Sequence, residues 1–78
     1  MAIFTRIFEL PNNNQVLLTR EYDDEDDAHN VKVRSDINGL QASISLGFDT
    51  EEKADKVLKD FTLDQAKNMR NQMMNLLT

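Results

Sequence analysis

The chain reads as an α+β domain: a four-stranded antiparallel sheet built from two β-hairpins, followed by a C-terminal helical segment broken into two helices packed on one sheet face. Three observations carry that reading. Apolar and polar residues alternate along most of the segments up to Phe48, the period of a strand. Asn38-Gly39 interrupts the alternation with a pair that tolerates positive φ at both positions. Beyond Phe48 the apolar spacing lengthens to about 3.6 residues, the period of an α-helix. Strands are expected over 2–10, 15–22, 31–37 and 40–48 and helices over 50–60 and 63–77, in one domain covering 1–78.

The first two strands flank Pro11-Asn12-Asn13-Asn14, where Asn readily adopts left-handed backbone. A three-residue Asn loop predicts Leu10 opposite Val16, Phe8 opposite Leu18 and Phe4 opposite Tyr22, but it also sets Arg6 against Arg20, a like-charge pair. Ile3, Ile7 and Leu17 lie on the other face, so both sides of this hairpin are expected to be covered.

The second hairpin is better specified. A type I′ turn at Asn38-Gly39 pairs Ile37 with Leu40, Val33 with Ile44 and Val31 with Leu46. Those residues share one face, while Lys32, Arg34, Asp36, Gln41, Ser43 and Ser45 share the other; a one-residue slip would mix them. Gly47 inside the last strand predicts a bulge or a close backbone approach.

Asp49 and Glu52 have the spacing of a capping box, and Ala54, Val57, Leu58 and Phe61 form the apolar stripe of a first helix. Glu52 with Lys56 and Asp55 with Lys59 are i, i+4 pairs in the favourable order. Thr62 and Gln65 repeat the capping box, and Phe61 is placed to staple onto Ala66, which predicts a second helix at a new angle. Its apolar residues, Leu63, Ala66, Met69, Met73, Met74, Leu76 and Leu77, span a wide arc. Met69 and Met73 are expected on the sheet, with Met74 and the Leu76-Leu77 end left for another subunit.

A 78-residue chain buries about 63% of the surface its unfolded form exposes, enough for one modest core. With no cysteine and one histidine, neither disulfides nor a thiolate or multi-histidine metal site supports it. The apolar runs fall far short of the about 18 residues that cross a bilayer, and the N-terminus lacks the pattern of a signal peptide, so a cytoplasmic location without membrane contact is expected.

The charge is concentrated. Asp23, Asp24, Glu25, Asp26 and Asp27 account for the whole net charge of −5, since the other residues comprise nine acidic and nine basic ones. Such a run suits a basic protein partner, and its plainest role is to keep the connection between the hairpins, together with Ala28-His29-Asn30, solvated. An EF-hand loop starting at Asp23 would need Gly sixth and Glu twelfth, where Ala28 and Arg34 stand, and the alternating Asp23, Glu25, Asp27 and His29 make only a loose cation set; no metal and no cofactor are expected.

Catalysis is not expected either. His29 has no marked nucleophile near it in sequence, Ser35, Ser43 and Ser45 read as outward strand positions, and there is no Gly-rich phosphate loop. The expected function is therefore protein–protein interaction: an acidic inhibitor, immunity-type or adaptor domain using Asp23–Asp27, or a homodimer using Ile3, Ile7, Leu17, Met74 and Leu77. The alternative is single-strand nucleic-acid binding through Arg6, Arg20, Lys32 and Arg34 on a sheet face, disfavoured by the acidic balance and by the shortage of exposed aromatics.

Overall fold

A computed structural model describes residues 5–77. Strands β1 (Thr5–Leu10), β2 (Asn14–Asp23), β3 (Ala28–Ile37) and β4 (Leu40–Phe48) form one antiparallel sheet in the order β1-β2-β3-β4, followed by helices α1 (Glu51–Asp60) and α2 (Leu63–Leu77). Residues 2–4 of the expected first strand, and with them Ile3 and the Phe4–Tyr22 pair, lie outside the described residues.

The β3–β4 register follows the turn. Asn38 and Gly39 take φ of 53° and 82°, and Ile37 faces Leu40, Val33 faces Ile44 and Val31 faces Leu46. Gly47 makes a close approach with no bulge: a Cβ there would sit 3.2 Å from Asn30 Oδ1.

The β1–β2 register differs from the expected one by two residues. Pro11–Asn13, not the three asparagines, form the connection; Asn12 and Asn13 take φ of 66° and 60°, and the Asn14 side-chain amide donates to the Pro11 carbonyl at 3.0 Å. Asn14 therefore starts the return strand, Leu10 faces Asn14, and Phe8 faces Val16. Arg6 faces Leu18 instead of Arg20, so the like-charge pair never forms.

One sheet face carries the core. Val16, Leu18, Val31, Val33 and Ile37 are fully enclosed by Ala54, Leu58, Phe61, Ala66 and Met73 from the helices, and each large aliphatic side chain so buried contributes about 1.5–3 kcal/mol. The other face is open. Its apolar pair, Ile7 opposite Leu17, has Ile7 60% exposed and Leu17 half-buried, so this side of the first hairpin is not covered by the described residues.

Three polar contacts across the layers fix the helices. Arg6 reaches from β1 to the end of α1, where one guanidinium nitrogen donates to the carbonyls of Leu58, Lys59 and Phe61 at 2.8, 3.0 and 2.9 Å. It satisfies carbonyls that the helix cannot, and its charge complements the negative end of the dipole. Arg20, almost buried, pairs with Asp55 of α1, so Asp55 turns inward and does not pair along the helix with Lys59. Ser35 corrects its expected outward placement: it is buried, its hydroxyl donates to the Gln15 carbonyl at 2.8 Å and accepts from Arg70 Nε of α2 at 3.2 Å.

The helix boundaries agree with the capping signals except at the first. Thr50, not Asp49, is the N-cap of α1 and accepts from the Lys53 N–H at 3.3 Å, while Asp49 pairs with the Lys53 ammonium at 2.9 Å. At the break, Thr62 and Gln65 form the reciprocal capping box, with bonds of 2.9 and 3.1 Å, and Phe61 and Ala66 on either side are both buried.

Candidate functional site

The connection between β2 and β3 is shorter than the sequence suggests. Asp23 and Ala28 are paired strand residues, as are Tyr22 with His29 and Glu21 with Asn30, so only Asp24, Glu25, Asp26 and Asp27 remain as a turn. Its geometry is built by its own carboxylates. Asp23 Oδ1 accepts from the Glu25 N–H at 3.0 Å, an Asx-type turn, and Asp27 closes the loop at φ 48°, which Asp tolerates better than most residues. The acidic run is thus a tight hairpin tip, not a long linker.

Beside the tip lies an aromatic row. Consecutive register pairs place Tyr22, His29 and Phe48 side by side across β2, β3 and β4, on the face that the helices cover further along. The Tyr22 and His29 rings lie 4.8 Å apart at 38°, and Tyr22 is 47% exposed. The phenol donates to Asp27 Oδ1 at 2.6 Å. That hydrogen bond, with desolvation and the charges of Asp27, Asp24 and Asp23, raises the Tyr22 pKa above its ordinary 10.0. His29 Nδ1 is buried with no hydrogen-bond partner among the described residues.

None of the five tip carboxylates belongs to an ion pair among the described residues; the cations Lys32 and Arg34 engage Glu21 instead. Carboxylates accept charge-assisted hydrogen bonds from guanidinium and ammonium groups, and an exposed ring offers a face to the same cations. Asp23, Glu25, Asp27 and His29 do not gather into a cation site, since among the described residues no three such side chains are placed to hold a metal.

The other candidate sets are dispersed. Arg6 and Arg20 lie on the helix-covered face and are used within the fold, whereas Lys32 and Arg34 lie on the open face, so the four cations do not line one surface. Ile7 and Leu17 occupy the open sheet face, but Met74 packs against the core with Arg70 on its sulfur, and Leu77 stands exposed at the end of α2. These self-association candidates do not form a single patch.

The pairing of Tyr22 with His29 is not legible in the sequence, because Ala28-His29-Asn30 reads as part of the connection, although the alternation Leu18, Arg20, Tyr22 carries β2 to the tip. No helix among the described residues is long and apolar enough to cross a membrane. Comparison with protein-family models, with curated proteins and with solved structures finds no match to this chain.

Proposed function

We propose that the protein is a non-enzymatic interaction domain that docks the Asp23–Asp27 hairpin tip, with Tyr22 as its aromatic anchor, on a basic segment of a protein partner. One observation carries this reading: five carboxylates without an ion-pair partner among the described residues stand next to a half-exposed tyrosine already held in place by Asp27. Anchoring aromatics beside a charged rim are the usual composition of an interaction hot spot, and the concentrated charge speeds encounter with a basic partner. The hydrogen-bonded turn lowers the ordering cost of binding relative to an unstructured acidic tail.

Titration of the isotope-labelled protein with an arginine-rich peptide tests the reading by NMR. Amide shifts should concentrate on residues 21–30 and diminish with salt. Shifts centred on the other acidic cluster, Glu51 and Glu52 at the start of α1, or equal shifts with a glutamine-rich peptide, would remove it.

A further inference from the structure

We propose that β4 is a self-pairing edge, through which two copies of this chain join their four-stranded sheets into one of eight strands. Among the described residues β4 ends the sheet order and pairs with β3 alone. Its nine residues, Leu40 to Phe48, contain no charge and no proline, and its register with β3 runs without a bulge. Those are the devices by which edge strands normally avoid one another. The opposite edge has them: over its described residues β1 carries Arg6 and Glu9, and it runs into Pro11.

The backbone groups on that edge are the right ones. In a two-residue hairpin the residues flanking the turn are hydrogen bonded to each other, so Leu40, Ala42, Ile44, Leu46 and Phe48 turn their N–H and C=O groups to β3. Gln41, Ser43, Ser45 and Gly47 consequently aim theirs outward along the free edge.

The sequence of β4 is complementary to itself about Ile44. An antiparallel pairing with a two-fold axis there sets Leu40 against Phe48, Ala42 against Leu46 and Ile44 against Ile44 of the second copy, all on the helix side. On the open side Ser43 meets Ser45 and Gln41 meets Gly47 of that copy. No like charges are opposed. The same pairing covers apolar surface that the helices leave half-buried at Ala42, Ile44, Leu46 and Phe48, and exposed at Leu40.

The net charge does not oppose the arrangement. The acidic tip continues beyond the His29–Phe48 level, and the two-fold sends the two tips in opposite directions. At about 3.3 Å per residue they end roughly 45 Å apart, several times the Debye length of about 8 Å at physiological salt. This inference is independent of what the acidic tip binds.

The test is light scattering after size exclusion at tens of micromolar, on the wild type and on two variants at exposed positions. The wild type should show twice the chain mass. Ser43→Glu with Ser45→Glu should be a folded monomer: within a chain the new carboxylates face Arg34 and Lys32, but across the axis Glu meets Glu. Ser43→Glu with Ser45→Gln opposes no like charges, within the chain or across the axis, and should restore the doubled mass. A monomeric wild type, or a double-glutamate variant that stays dimeric, would overturn the proposal.

Discussion

Arg6 and Leu58, separated by 52 positions in the chain, meet through a 2.8 Å hydrogen bond that ties the first described strand to the end of the first helix. The same nitrogen serves the Lys59 and Phe61 carbonyls, so one cation closes α1 where Phe61 leaves helical geometry at ψ 131° and lets α2 start in a new direction. The angle between the helices therefore depends on a residue of the sheet.

Replacing Arg6 by Met keeps much of the side-chain volume and removes the donors. Chemical denaturation should show a loss of about 2–4 kcal/mol, because bonds to a charged group contribute about 1.5–3 kcal/mol each and here they share one nitrogen. Arg6→Lys should recover only part of it. A loss below about 0.5 kcal/mol for Arg6→Met would mean that the capping box at Thr62 and Gln65 alone sets the break.

The Arg20–Asp55 pair has unequal burial, with side chains 9% and 43% exposed. Asp55→Leu leaves the buried guanidinium uncompensated and should cost more than the double change Asp55→Leu with Arg20→Met. Because Asp55 is screened by solvent, a double-mutant cycle should give a coupling of about 1–2 kcal/mol, below that of fully buried pairs. Equal costs for the single and double variants would show that the pair is only a surface contact.

Tyr22 is the single tyrosine of the chain, so its ionisation can be followed by absorbance without overlap. Its phenolate should form above pH 10.0, and Asp27→Asn should bring the midpoint down, since the hydrogen bond to Asp27 is the largest cause of the shift. A raised folded-state pKa means that, while the tip carboxylates are ionised, this contact stabilises the fold below pH 10.0 and is lost as pH rises through the folded value. Asp49 behaves oppositely. Its pKa is lowered, chiefly by the hydrogen bond from Lys53, so its contribution is present above the ordinary carboxylate range and disappears as acid protonates it. A midpoint unmoved by Asp27→Asn would detach Tyr22 from the tip.

Leu18 is fully enclosed, whereas Ile44, on the same sheet face, is only half-buried. Leu18→Ala should cost about 2–5 kcal/mol and Ile44→Ala distinctly less at concentrations where the protein is monomeric. Equal costs would mean that the helices cover β4 more fully than this structure shows.

Local signals carried most of the fold. Asn38-Gly39 with clean alternation on both sides determined one register, because a slip would have exposed Val31 and Val33. Around Pro11 a two-residue shift leaves every side chain on its own face, so the alternation does not choose the register; the opposition of Arg6 and Arg20 is the one sign in the sequence against the longer loop, and the Pro11–Asn13 turn with Asn14 bonded to Pro11 fixes the observed pairing. The strand ends at the tip are not legible because Asp23 and Ala28 are poor strand formers held in place by their neighbours. Arg6, Arg20 and Ser35 had no local signature at all: their partners lie 55, 35 and 20 positions away at Phe61, Asp55 and Gln15.

Calorimetric affinity for an arginine-rich peptide at low and high salt tests whether the acidic tip is the binding surface. Asp23→Asn, Asp24→Asn, Glu25→Gln, Asp26→Asn and Asp27→Asn together should leave the thermal midpoint nearly unchanged, weaken binding at least about tenfold and flatten its salt dependence. Unchanged peptide affinity in that variant, or a gain in affinity for single-stranded DNA that Arg34→Ala reverses, would contradict it.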